Sequence, residues 1–246
     1  MTAPAAPLLQ TRVSTLVGAD GTLAIYEAAP AEPVAAVVIL HEAFGVTDHI
    51  TDVTRRAADA GYHAIAPDLF HRAPAGVAPY GDLQAAARNF GGLTDAGILA
   101  DVDACLTHLD AQGFAADKVG IIGFCFGGRA AFLVAAERSI GAAATLYGGG
   151  IVTASKFLPF PALTDSIATM RTPWIGLYGE TDMGIPQDEV DALEAALAAS
   201  PVEHRILRYA GAGHAFHNDV LPSYHAAAAK AAWAESIAWL TAHGVG

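Results

Sequence analysis

Lys118-Val119-Gly120-Ile121-Ile122-Gly123-Phe124-Cys125-Phe126-Gly127 sets one cysteine between two glycines at the end of an apolar run. Lys118 to Ile122 predicts a short buried strand and Gly128 to Glu137 a helix, so Cys125 falls on a sharp strand-to-helix turn. Such a turn strains the residue at its apex. A side chain at 123 or 127 would meet neighbouring chain, which is the physical reason for glycine at both positions. The pattern is one that presents a nucleophile above a parallel sheet, here with sulfur as the reacting atom. The competing reading is a small buried thiol in a core strand, the common fate of a free cysteine. Cys105 takes that second reading, since it shares the apolar stripe of an amphipathic helix with Ile98, Val102, Leu106 and Leu109.

Outward from the turn, the chain alternates strands and helices. Thr11 to Val17 and Thr22 to Ala28 alternate in polarity around Gly18-Ala19-Asp20-Gly21, a hairpin signal. Val34 to Leu40 is a continuous apolar run, as in a strand buried on both faces. Helices are expected over Asp48 to Ala60, Thr94 to Gln112, Gln187 to Ala199 and Pro222 to His243. Further strands are expected over Tyr62 to Ala66, Ala142 to Tyr147, Pro173 to Tyr178 and Glu203 to Tyr209. The reading is an α/β fold with a mainly parallel central sheet, an antiparallel N-terminal hairpin and helices on both faces. Residues 70 to 92 and 148 to 172 are richer in Gly and Pro and follow strands, so they are the expected walls of a pocket at the sheet's carboxyl edge.

A nucleophile at such a turn needs a base and a carboxylate to hold that base, both at the ends of later strands. Asp182 stands in Gly179-Glu180-Thr181-Asp182 and His214 in Gly211-Ala212-Gly213-His214, each directly after a predicted strand. Asp182 competes with Glu180 for the acid role and with a helix-capping role near Pro186; His214 competes with nine other histidines. Three residues in this order on these elements carry more information than any one of them. At the end of the strand Val34 to Leu40, His41-Glu42-Ala43-Phe44-Gly45 supplies the backbone N–H of Ala43, which with that of Phe126 makes an expected oxyanion hole. Glu42 is the further acid expected at the pocket, where its charge would raise the thiol pKa.

Composition narrows the function classes. A chain of 246 residues that is 53% hydrophobic has material for one large core, so one domain over 1–246 is expected, with 1–10 flexible. A net charge of −12 with 13 Lys+Arg disfavours nucleic acid and anionic membrane as partners. Two cysteines make no disulfide framework and point to a reducing compartment. Met1-Thr2-Ala3-Pro4-Ala5-Ala6-Pro7 lacks the basic start and apolar run of a signal peptide, and no run is long enough to span a membrane. The expectation is therefore a cytoplasmic protein. No metal is expected, because Gly45 stands where a zinc-protease motif begun by His41-Glu42 needs its second histidine, and His214 with His217 lacks a further ligand. No cofactor is expected either, since neither a dinucleotide loop nor a phosphate loop is present.

His41 to Gly45, Ala66-Pro67-Asp68-Leu69-Phe70, Gly123 to Gly128, Gly179 to Asp182 and Ala212-Gly213-His214-Ala215-Phe216 together resemble the dienelactone hydrolase (carboxymethylenebutenolidase) family of α/β hydrolases. The resemblance implies Cys125 as nucleophile, His214 as general base, Asp182 as its orienting acid and Glu42 as the carboxylate that gates thiolate formation. It implies hydrolysis of an enol-lactone or small activated ester through a thioacyl-enzyme. The family's well-known bacterial members hold a substrate carboxylate with two arginines, one shortly after the catalytic histidine. Here that stretch reads Ala215-Phe216-His217-Asn218, without arginine. Arg88 lies where the other would be expected, and its alternative is a solvated residue on a helix. Arg88, Phe44 and Tyr147 are the candidate substrate contacts. The competing functions are hydrolysis of other small esters or amides at the same site, and an idle hydrolase fold that binds a ligand and senses oxidation through its thiol.

Overall fold

The computed structural model describes residues 9–18, 21–73, 76–155 and 158–246. Of the expected flexible start, residues 1–8 lie outside the described residues, whereas Gln10 already pairs in a strand. Alternating polarity produces β1 (Gln10–Gly18) and β2 (Gly21–Ala29), paired antiparallel with Arg12 opposite Glu27. There follow β3 (Ala35–Leu40), α1 (Asp48–Asp59), β4 (Tyr62–Pro67), α2 (Leu83–Asn89), α3 (Asp95–Asp110), β5 (Val119–Phe124) and α4 (Phe126–Glu137). The chain closes with β6 (Ala142–Leu146), β7 (Trp174–Gly179), α5 (Gln187–Leu197), β8 (His204–Tyr209) and α6 (Ala226–Ala242).

The strands form one sheet in the order β1-β2-β4-β3-β5-β6-β7-β8. β2 pairs antiparallel with β4, and every pair from β4 to β8 is parallel. β3 to β7 are buried along their whole length, as continuous apolar runs covered on both faces require. The chain leaves β3 in one direction to reach β4 and lies in the other direction at β5. That reversal opens a crevice at the carboxyl ends of β3 and β5, where ligands bind in open sheets of this kind.

The expected elements are all present, with shifts at their ends that have local causes. α3 begins after Thr94, whose hydroxyl accepts from Gly97 N–H, and the stripe of Ile98, Val102, Cys105 and Leu109 is buried. α6 starts at Ala226 instead of Pro222, because His225 caps it: its ring nitrogen accepts from Ala228 N–H at 3.2 Å. α4 begins at Phe126, immediately after Cys125. The segment 70–92, expected as a pocket wall, contains α2, capped by Asp82. Arg129 of α4 is fully buried, with a two-pronged ion pair to Asp95 at 2.6 and 3.0 Å and a bond to Pro161 O at 2.7 Å. It also lies 4.6 Å from the Phe160 ring centroid, and so ties the segment after β6 to the helix that follows Cys125.

The antiparallel edge is pinned by a buried carboxylate. Glu27 receives Arg12 Nε and Nη2 at 2.8 Å each, and its Oε2 lies 3.0 Å from His63 Nε2 of β4 and 3.3 Å from His108 Nε2 of α3. Burial pushes its pKa up, but hydrogen bonds from His63, Arg12, Ser14 and His108 outweigh burial and hold it well below the usual carboxylate range. A depressed pKa contributes stability that is complete above the unfolded value, about 4.3, and is lost as pH falls through the folded value. Glu27→Gln is therefore expected to flatten the acid side of a curve of urea stability against pH. An acid limb identical to that of the parent protein would remove Glu27 from this account.

Candidate active site

Cys125 adopts φ 53° and ψ −113° between β5 and α4. The strain is enforced by close approach. A Cβ on Gly123 would collide with the Gly127 carbonyl, and one on Gly127 with the Leu40 carbonyl at the end of β3. The sulfur is thereby raised at the N-terminal end of α4, over the crevice between β3 and β5.

Each partner arrives from the end of its own strand. His214 follows β8 and places Nε2 3.2 Å from Cys125 Sγ. Its Nδ1 lies 2.8 Å from Asp182 Oδ2, in the loop after β7. A carboxylate only accepts, so Nδ1 carries the proton and Nε2 faces sulfur as a base. Asp182 is held in turn: Oδ1 accepts from Gly184 N–H at 2.8 Å and Ile185 N–H at 3.0 Å. Glu180, the competing acid, is exposed, while Asp182 is buried. Burial pushes the His214 pKa down, but the Cys125 sulfur and Asp182 outweigh it and raise the imidazole well above the ordinary histidine value.

The loop after β3 supplies the other wall. His41 is buried, and its Nε2 accepts from Leu69 N–H at 3.1 Å, so the ring proton sits on Nδ1 and is donated to Glu42 O at 2.7 Å. Burial lowers the His41 pKa, in keeping with this neutral, bridging role. The N–H groups of Ala43 and Phe126 make no hydrogen bond to any described residue. Glu42 is buried. Its Oε2 accepts from Asn218 Nδ2 at 2.9 Å and from the Tyr80 hydroxyl at 3.1 Å, and Tyr80 in turn lies 2.8 Å from Thr47 Oγ1. Burial raises the Glu42 pKa, opposed by His49, Asn218, Tyr80 and His214.

Above the sulfur lies a cavity of about 450 Å³, lined by Cys125 and His214 and otherwise by a mostly apolar set including Phe44, Leu83, Phe90, Leu158 and Ile185. Among the described residues no Lys or Arg lines it. Phe44, a candidate substrate contact, lines it. Arg88 is exposed on the last turn of α2; Ala87 and Phe90 beside it line the cavity and Arg88 does not. Tyr147 is fully buried and also absent from the lining, with its ring against His214. Tyr80 and Asn218 were not singled out as site residues by sequence reasoning. Tyr80 lies in a segment without periodicity, and Asn218 drew notice only because it is not an arginine.

The sheet order and a site gathered at its carboxyl edge define an α/β hydrolase. The dienelactone hydrolase family model matches residues 21–244. A relative from Yersinia pestis, "Putative carboxymethylenebutenolidase", is 37% identical over 216 residues, 87% of this chain and 80% of that protein. One of the same name from Escherichia coli (strain K12) is 36% identical over 225 residues, 89% of this chain and 82% of that protein. A crystal structure of a "Putative Dienelactone Hydrolase" from Klebsiella pneumoniae superposes with a TM-score of 0.87 at 33% identity, over 95% of this chain and 99% of that one. The chain belongs to the dienelactone hydrolase family, and is an ester-hydrolysing enzyme. No helix among the described residues is long and apolar enough to cross a membrane.

The Glu42 environment has a stability consequence. Asn218→Ala removes a buried donor from a buried carboxyl, and the loss of such a partner costs about 1–3 kcal/mol. Urea unfolding at neutral pH measures it, and an unchanged midpoint would show that Asn218 is not needed to hold Glu42.

Proposed function

We propose that this protein hydrolyses an enol-lactone or a small activated ester with Cys125 as nucleophile, through a thioacyl-enzyme. The observation that carries the reading is the 3.2 Å approach of His214 Nε2 to Cys125 Sγ, with Asp182 fixed behind the imidazole. In the cycle, Nε2 takes the thiol proton and the sulfur attacks the carbonyl carbon. The oxyanion then faces the unpaired N–H groups of Ala43 and Phe126, donors whose individual loss in such sites costs about 2.7–4 kcal/mol. Collapse expels the enolate, which receives the proton back from His214; for a lactone the ring opens and the product stays attached as a thioester. Water then gives a proton to His214 and attacks the thioester, and the second collapse frees the acid and restores the sulfur.

An enolate suits a sulfur nucleophile, because a poor alkoxide leaving group would return to the acyl carbon and expel the thiolate instead. The pocket sets the substrate's other demands. Its apolar lining, free of Lys and Arg among the described residues, supports an acyl or ring portion held by burial instead of by charge. Cytoplasmic residence remains the proposal drawn from the two unpaired cysteines.

Two measurements test the reading. Turnover of an aryl ester and an enol-lactone is expected to fall by at least about a thousandfold in Cys125→Ala and in His214→Ala, as for loss of a nucleophile or its base. Full activity in both variants would sink it. The raised His214 pKa favours an imidazolium paired with the sulfur, so iodoacetamide is expected to alkylate Cys125 faster in the parent protein than in His214→Ala across neutral pH. Equal alkylation profiles in the two proteins would contradict the pairing.

A further inference from the structure

Among the described residues, three non-glycine side chains sit on left-handed backbone: Cys125 at φ 53°, Tyr147 at 42° and Ala215 at 57°. Cys125 carries the sulfur and Ala215 directly follows His214. Tyr147 is the third, and the reaction cycle gives it no task. A bulky residue in this region is strained and persists only where the surrounding structure holds it, which makes such outliers cluster at functional sites. The holding groups are visible. Tyr147 N–H donates to Leu177 O at 2.9 Å, extending the pairing of β6 with β7, and the Tyr178 hydroxyl donates to Gly148 O at 3.1 Å.

This turn sends the Tyr147 ring beneath the site. It packs edge-on against His214 with centroids 5.4 Å apart, and against Phe216 at 5.2 Å. Its hydroxyl is buried and has no hydrogen-bond partner among the described residues, and the same is true of Glu42 Oε1. The other Glu42 oxygen is held by Tyr80 and Asn218, so the carboxyl has one fixed edge and one open edge. Burial first, and then the charges of Glu42 and Cys125, raise the phenol's pKa well above its usual value; both groups therefore lie within its field. A donor without an acceptor and an acceptor without a donor are thus buried at one site, for the Tyr147 ring packs on His214 and Glu42 directly precedes Ala43, which lines the cavity with Cys125 and His214. Each would be costly if it stayed unmatched, and they are complementary.

We propose that Tyr147 is a positioning residue: its phenol holds the open Oε1 edge of Glu42 and its ring braces His214, so that it sets the proton balance of Cys125 without touching substrate. The inference rests on Cys125 being the nucleophile. The phenol donates to the carboxylate and so favours ionised Glu42, whose charge opposes a thiolate. The titratable groups facing this pair are His49 of α1, Tyr80 before α2, Cys125 before α4 and His214 after β8, with Asp182 behind His214.

The test is the pH profile of Cys125 alkylation by iodoacetamide in the parent protein, Tyr147→Phe, Glu42→Gln and the double variant. Tyr147→Phe keeps the ring and removes only the hydroxyl. Its midpoint is expected to fall by about half a pH unit or more, with the KM for a neutral aryl ester changed less than about twofold. In the Glu42→Gln background the same substitution is expected to produce no shift, because the carboxylate through which it acts is gone. An unmoved or raised midpoint, a shift that persists with Glu42→Gln, or a rise in KM alone would overturn the proposal. Turnover that survives full alkylation of Cys125 would instead overturn the nucleophile assignment, and the two failures are thereby distinguished.

Discussion

The contact between the start of α4 and the end of β3, reached because positions 123 and 127 have no Cβ, is the constraint around which the molecule is arranged. It compels the left-handed backbone of Cys125 and sets the sulfur at a helix N-terminus, where the N–H groups of Phe126 and Gly127 have no acceptor among the described residues and the local field favours an anion. A strained apex of this kind survives only on a rigid support. The five strands buried from end to end supply it, and the parallel register from β4 to β8 brings their carboxyl ends to one edge.

Around the sulfur the protein separates two environments. The cavity wall is apolar and leaves little to interact with a charge, whereas Glu42, next to the cavity-lining Ala43, belongs to a polar network that runs from Thr47 through Tyr80 to Asn218. Around a buried carboxyl, low polarity makes each unmatched group expensive and each matched one strong, so the protonation of Glu42 depends on few partners. His41 shows the same economy. One neutral imidazole, fixed in its tautomer by Leu69 N–H, ties the loop after β3 to the loop after β4. Arg129 does the corresponding work on the far side, where a buried guanidinium joins α3, α4 and the segment after β6.

Much of this was legible in the chain because it is local. Apolar runs named the buried strands, alternation named the hairpin, and glycines two places either side of Cys125 named the turn, since each signal arises from neighbours in sequence. Cys125, Asp182 and His214 could be picked out by their order after successive strands, and the structure brings those three together. Helix ends were less legible. The cap at His225 depends on a ring orientation that no residue preference announces, and α2 is a short helix in a segment whose glycines and prolines mask it.

The sequence by itself determined the elements, their parallel arrangement and the choice of Cys125, Asp182 and His214 as the trio that the structure brings together, because strand and helix periods and turn sterics act over a few residues. Only the tertiary structure decided that Asn218 and Tyr80 share one oxygen of Glu42, that Arg88 faces solvent, and that Tyr147 lies under the imidazole and not in the cavity wall. Those relations join residues from separate strands and loops, with Asn218 176 positions from Glu42. A side chain's partner at such range is set by how the sheet's carboxyl edge is packed, and no spacing along the chain encodes it.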